Sequence, residues 1–143
     1  MSDERTLRLE VVTPDGEVYS GEVAMVVLPG VDGELGILPR HQPLVTLLAI
    51  GETRVRTVDD QWDYIATGIG YAQVLFDKVL VVTDHGELAG AIDVARAEEA
   101  QHRARERMQE RGDLGAEAEY DYFRAEQALK RAENRLYVAR RTR

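Results

Sequence analysis

Four arginines and one aspartate beyond residue 90 of this 143-residue chain have the types and spacing to hold an anionic ligand. Asp93 and Arg96 lie three apart, Arg103 follows two helical turns later, and Arg131 and Arg135 lie four apart. Guanidinium groups crowded on one side repel unless an anion sits among them, and their planar forks suit phosphate oxygens. Asp93, acceptor-only when ionised, could take hydrogen bonds from an amine or a ribose hydroxyl. A plainer account stands beside this one. Asp93 would cap a helix, and the arginines would form a solvated face balanced by Glu98, Glu99, Glu106 and Glu133.

Helices must position these groups. Asp93 to Arg111 contains no Gly or Pro and is dominated by Ala, Glu, Arg and Gln, which favour a helix. Gly112 offers a left-handed cap, so Gly112 to Gly115 reads as the turn of an αα-hairpin. A second helix is expected from about Ala116 to Ala139. Its stripe of Ala118, Tyr122, Ala125, Leu129, Ala132, Leu136 and Ala139 has the alternating 4, 3 spacing of a coiled-coil seam. Ala97, Ala100 and Ala104 match it on the first helix. Arg96, Arg103 and Arg135 then fall at g positions, which face one another in an antiparallel pair. Counting outward from the turn sets Arg96 opposite Lys130 or Arg131. Each seam alanine buries roughly 2 kcal/mol less than leucine would, at ~0.8 kcal/mol per methylene. The hairpin should close tightly yet open readily, although small residues also serve plain close packing.

Upstream, short runs rich in Val, Ile, Leu and Tyr recur: Leu7–Val12, Val23–Leu28, Leu44–Ile50, Thr53–Val58, Trp62–Thr67, Tyr71–Phe76 and Lys78–Thr83. Turn residues separate them, as at Pro14-Asp15-Gly16, Pro29-Gly30, Asp32-Gly33, Asp59-Asp60 and Gly68. This pattern predicts an antiparallel β-sandwich or flattened barrel over residues 1–90, followed by a two-helix hairpin over 91–143. The change of character falls at Ile92-Asp93-Val94-Ala95-Arg96-Ala97.

Composition narrows the function. The chain carries a formal charge of −8, and residues 1–90 hold 6 Lys/Arg against 15 Asp/Glu. That acidic body argues against nucleic acid. Lys130, Arg131, Arg135, Arg140 and Arg141 make the final stretch basic, which suits either an acidic partner or a helix C-terminus. No cysteine is present, in keeping with a reducing compartment. The charged start shows no signal peptide, and no apolar run approaches the roughly 18 residues of a spanning helix. His41, His85 and His102 make no HExxH pair, and neither a G-x-S-x-G nor a P-loop pattern occurs, so a free-standing enzyme is disfavoured.

Gly33-Glu34-Leu35-Gly36-Ile37-Leu38-Pro39-Arg40-His41-Gln42-Pro43-Leu44 closely resembles the family form GELGILPGHxPL of the epsilon subunits of F-type ATP synthases. Val11 to Gly16, Ile65 to Val74 and Ile92 to Ala97 are similar to the same family, in order along the chain. Three positions depart from it: Arg40 stands for a usual glycine, Ile69 for the first of two glycines, and Gln73 for glutamate.

The resemblance implies a non-catalytic rotor subunit of bacterial type, peripheral on the cytoplasmic face of the plasma membrane and not inserted in it. Its sandwich would pack on the gamma subunit and the c-ring, with Glu34, Leu35, Gly36 and His41 carried over to that contact. Its hairpin would switch between a folded form and an extended one, in which the basic second helix meets the beta and alpha subunits and blocks rotation. No cofactor is required, but ATP as a regulatory ligand would stabilise the folded form. The I/L-D-x-x-R-A signature maps onto Ile92, Asp93, Arg96 and Ala97. The later arginines map onto Arg103, Arg131 and Arg135, and an upstream acid onto Glu87. A coupling subunit without nucleotide sensing is the alternative.

Overall fold

The computed structural model describes residues 5–110 and 115–142. Nine strands are followed by two helices: β1 (Leu7–Thr13), β2 (Gly16–Gly30), β3 (Gly33–Ile37), β4 (Leu44–Leu48), β5 (Gly51–Thr57), β6 (Trp62–Thr67), β7 (Gly70–Leu75), β8 (Lys78–Thr83), β9 (Gly86–Leu88), α1 (Val94–Gln109) and α2 (Ala116–Ala139). Period-two alternation builds the sandwich. In β1, Leu7, Leu9 and Val11 are fully buried while Arg8 and Glu10 point away from the core. In β8, Val79, Val81 and Thr83 do the same. Strands β1, β8, β7 and β4 form one layer; β5, β6 and β9 continue from β2 into the other.

Strand β2 belongs to both layers. Its first part pairs with β1 from Gly16↔Thr13 to Val23↔Leu7, and its last part pairs with β5 and β3. The crossing is made at an irregularity between Val23 and Met25. An extra residue there changes which parity faces inward, so Val23 and then Val26 and Leu28 are buried. A simple alternation reads only the second half, which is why Val23–Leu28 alone was expected. Two more strands escape the pattern: β3, which carries two glycines, and β9, only 3 residues long. The sheet is antiparallel except where β1 lies parallel to β8, from Arg8↔Lys78 to Val12↔Val82.

Leu7, Leu9, Val11, Val23, Val26, Leu28, Ile37, Val55, Ile65, Val74, Val79 and Val81 fill the space between the layers. Polar groups bordering this core are paired. Thr53 and Thr67 hydroxyls meet at 3.0 Å, and Thr67 also donates to the Gly51 carbonyl. Tyr19 donates its phenol proton to Asp63 Oδ2 at 3.1 Å. Burial, then the Asp63 charge and this hydrogen bond, push the Tyr19 hydroxyl up to about 12. Since the folded state holds that proton more tightly than the unfolded chain, the stability is present below pH ~10 and lost as pH rises toward 12. Partial exposure reduces the effect to about 1–2 kcal/mol. Alkaline denaturation should therefore show a decline over this window that Tyr19→Phe removes; an identical profile in the variant refutes it.

Arg40 keeps the turn expected of the family glycine. Its φ is +67°, a left-handed conformation that costs a side-chain-bearing residue about 1 kcal/mol, and its amide donates to Asp77 Oδ1 at 2.8 Å. Ile69 is exposed and tolerated, because the constrained glycine of that pair is Gly70.

Candidate functional site at the edge of the helical hairpin

Helix α1 begins where the sequence places it. Asp93 takes an extended conformation and its Oδ1 accepts from the Arg96 amide at 3.1 Å, so the aspartate is an N-cap. A cap uses part of the carboxylate's accepting capacity and leaves the rest open. Ile92 is buried with Ala66, Ala89, Val138 and Ala139, which fixes the start of α1 and the end of α2 against the sandwich. Ala97 and Ala104 of α1 and Ala125, Ala132 and Ala139 of α2 are buried, as the seam requires. Helix α1 stops at Gln109, with Glu110 no longer helical. Arg111 and the expected turn at Gly112, Asp113 and Leu114 lie outside the described residues.

Two clefts fix how the helices face one another. Val94, Glu98 and Gln101 share one of about 510 Å³ with Leu136, Ala139 and Arg140. On the opposite edge, Arg107 and Glu110 share one of about 410 Å³ with Asp121, Arg124 and Ala125. Arg103 and Arg96 lie one and three turns before Arg107 on this second edge; Arg131 and Arg135 lie two and three turns after Arg124. All four arginines thus fall on one edge. The register differs from the count made outward from the turn. With Arg107 against Arg124, Arg96 lies level with Arg135 instead of Lys130 or Arg131. The helices are unequal, 16 and 24 residues, and the joint at Ile92 and Val138 sets their alignment, so the surplus of α2 lies at the turn.

The arginines differ in their company. Arg135 is held by Glu87 of β9, Nε to Oε1 at 2.6 Å and Nη2 to Oε2 at 3.2 Å, in a setting where both side chains are largely covered. His85 Nε2 stands 3.8 Å from the same Oε1. Arg103 pairs with Glu99 at 3.4 Å, exposed on one helix face. Arg96 and Arg131 make no ion pair among the described residues. Of the other anticipated counterions, Glu106 pairs with His102 and Glu98 lines the opposite cleft.

The remaining candidates are dispersed. Glu34 pairs with Arg54 at 3.0 Å, Leu35 packs on the core, and Met25 Cε lies 3.0 Å from where a β-carbon on Gly36 would stand. These three sit on strand β3, whereas His41 lies in the following loop with Nδ1 2.7 Å from the Gln42 carbonyl oxygen. Of the basic residues, Lys130 and Arg140 are exposed, while Arg135 and Arg141 are turned onto the sandwich. In the folded hairpin they occupy several sides of α2 instead of one face. Sequence reasoning missed Glu52, Tyr64 and Tyr137, which surround Arg141, and Asn134, which donates to the Gly51 carbonyl, next in sequence to Glu52; a signal existed in the i, i+3, i+7 spacing of Asn134, Tyr137 and Arg141.

Among the described residues no grouping of side chains could hold a metal ion, and no helix is long and apolar enough to cross a membrane. Residues 6–89 match the family model of the ATP synthase delta/epsilon chain β-sandwich domain, and residues 91–140 that of its long α-helix domain. The ATP synthase epsilon chain of Halalkalibacterium halodurans is 45% identical over 136 residues, covering 95% of this chain and 98% of its own length. That of Desulforamulus reducens is 43% identical, covering 94% and 98%. A chain in the cryo-EM structure of Euglena gracilis mitochondrial ATP synthase, OSCP/F1/c-ring, shares the fold at a TM-score of 0.75 and 24% identity, over 94% of this chain and 83% of that one. The chain belongs to the ATP synthase delta/epsilon family, as a non-catalytic epsilon subunit of bacterial type.

Proposed function

We propose that this subunit couples and regulates a proton-translocating ATP synthase, with residues 1–90 as its rotor contact and 91–143 as an ATP-sensing hairpin. The folded hairpin permits hydrolysis; the extended one meets the beta and alpha subunits and blocks rotation. The observation that carries the sensing role is the arginine edge, where Arg96 and Arg131 have no ionic partner among the described residues and flank an Arg135 already paired with Glu87. A phosphate chain fits this donor set, because it supplies an anion that two of the guanidinium groups do not find among the described residues. Ala97 keeps the helices close beneath it, and Asp93 and Glu87 are the acceptors for amine or hydroxyl groups.

For the rotor contact, the outer face of β4 and β7 exposes Val45, Leu47 and Tyr71 side by side, with Leu47 opposite Tyr71. Such an apolar strip suits the gamma subunit. Glu34, on the strand-turn-strand unit of β2 and β3, is the polar candidate for the c-ring. A place at the cytoplasmic face of the plasma membrane follows from that assembly.

ATP at ten times its dissociation constant would favour the closed form by about 1.4 kcal/mol, a tenfold shift for an alanine seam. Titration calorimetry on the full chain should show ATP binding that Arg131→Ala weakens at least tenfold; no heat at millimolar ATP, or unchanged binding in the variant, overturns the sensing role. The pairs Glu87–Arg135 and Glu99–Arg103 favour a second reading, a purely structural coupling subunit whose own carboxylates neutralise the edge. Paired cysteines that crosslink the hairpin shut would then leave ATPase regulation unaltered.

A further inference from the structure

Beyond the arginine edge, the end of α2 is fastened to the sandwich by contacts of another kind. The apolar part of this joint is small, consisting of Ala66, Ala89, Ile92, Val138 and Ala139, with Tyr64 and Val94 beside them. Three alanines bury little area, so apolar attraction alone holds the helix weakly. Polar contacts supply the rest. Arg141, in the 3-10 turn Arg140–Thr142 that follows α2, forks onto Glu52: Nε donates to Oε2 and Nη2 to Oε1, both at 3.0 Å. Its guanidinium carbon stands 4.8 Å from the Tyr64 ring centroid and 5.3 Å from that of Tyr137, and Nη2 also donates to the Tyr137 oxygen at 3.2 Å. About two turns upstream, Asn134 donates its amide proton to the Gly51 carbonyl at 2.8 Å.

Two features separate this cluster from an ordinary surface ion pair. The Glu52 side chain is only 8% exposed, so its attraction to Arg141 is screened far less than that of an exposed pair. The guanidinium is also oriented by two rings and a phenol oxygen, which lowers the entropy lost in forming the fork. Among the described residues, Arg141 is the sole cation paired with Glu52. Arg141 falls just past the 91–140 stretch that matches the helical family model, whereas Glu52 lies within the sandwich match.

We propose that Arg141 and Glu52 form a latch that holds the hairpin on the sandwich without nucleotide. The latch keeps a base just beyond α2 occupied within the chain for as long as the hairpin is folded. Release exposes both charges together, so opening frees a guanidinium for an acidic partner at the moment the helix leaves the sandwich. The latch rests on the reading that the hairpin opens, and it adds a second control beside ATP: ionic strength and competing carboxylates weaken it, whereas they leave the alanine seam untouched.

Hydrogen exchange on the full chain in the absence of ATP tests this. Arg141→Gln removes the fork from a residue outside both sandwich layers, so the sandwich should fold normally. Exchange of amides across residues 132–140 should rise roughly tenfold in this variant, while amides of β1 and β8 keep their protection. Glu52→Gln should reproduce the effect, and the exchanged pair Glu52→Arg with Arg141→Glu should recover at least part of the protection. Unchanged exchange at 132–140 in Arg141→Gln overturns the latch, as does faster exchange confined to β1 and β8. Because nucleotide is absent throughout, the outcome is independent of the ATP titration, and either reading can fail alone.

Discussion

Gly70→Ala should lower the melting temperature of the sandwich by roughly 10 °C or more, corresponding to a loss of at least about 3 kcal/mol. Gly70 opens β7 between two partners, Leu48 of β4 and Thr83 of β8. A β-carbon there would collide with the Val82 carbonyl oxygen and stand 2.8 Å from Thr83 Cα. Both obstacles are backbone, and the strand that carries them is also paired with β1, so the collision cannot be relieved by turning a side chain. The layer must part where it is most interconnected. Gly21→Ala, at a site of β2 where no atom lies within 4 Å of the added carbon, is the control and should cost well under 1 kcal/mol. Thermal melts of the two variants followed by circular dichroism decide the matter; equal melting temperatures would show that the β7–β8 backbone yields.

Ala97→Leu should act on the hairpin and spare the sandwich. Ala97 is fully buried at the seam, against a helix whose buried positions are Ala125, Ala132 and Ala139 together with Val138 at the joint with the sandwich. Three added carbons have no space between helices that approach this closely, and such overpacking costs about 1–3 kcal/mol. Because the helical pair has few large apolar contacts with which to absorb that cost, the population of the undocked form should rise roughly tenfold or more. Limited proteolysis at the arginines of α2 reads this directly. Faster cleavage there with an unchanged melt of the β layers is expected, and cleavage at the parental rate refutes it. The substitution stands beside Arg96 without altering any charge.

How much of this was legible beforehand depended on the range of the interaction. Strands such as β1 and β8 were readable because each buries one parity from end to end. Strand β2 was only half readable, since the irregularity at Met25 reverses its parity, and β3 was obscured by Gly33 and Gly36. Asp93 as a cap and the alanine seam were local and therefore visible. The level of Arg96 relative to Arg135 was not, because a count from the turn assumes equal helices while the docking of Ile92 with Val138 sets the true alignment. The fork between Arg141 and Glu52 spans 89 residues of sequence, and no periodicity encodes a contact of that range.

The parallel pairing of β1 with β8 has a consequence for how the chain is made. Residues 8–12 find their second partner in residues 78–82, so the first strand to be synthesised keeps an open edge until the eighth is available. Contacts of such separation make folding slow, on the scale of milliseconds to seconds. The 56 residues from Asp84 to Ala139, the end of α2, take roughly 3–11 s to add at 5–20 residues per second. On these general rates the sheet is expected to close before α2 is complete. The helices would thus meet a finished platform of Gly51, Glu52 and Glu87, and a hairpin that opens as proposed would do so without breaking the circuit of strands beneath it.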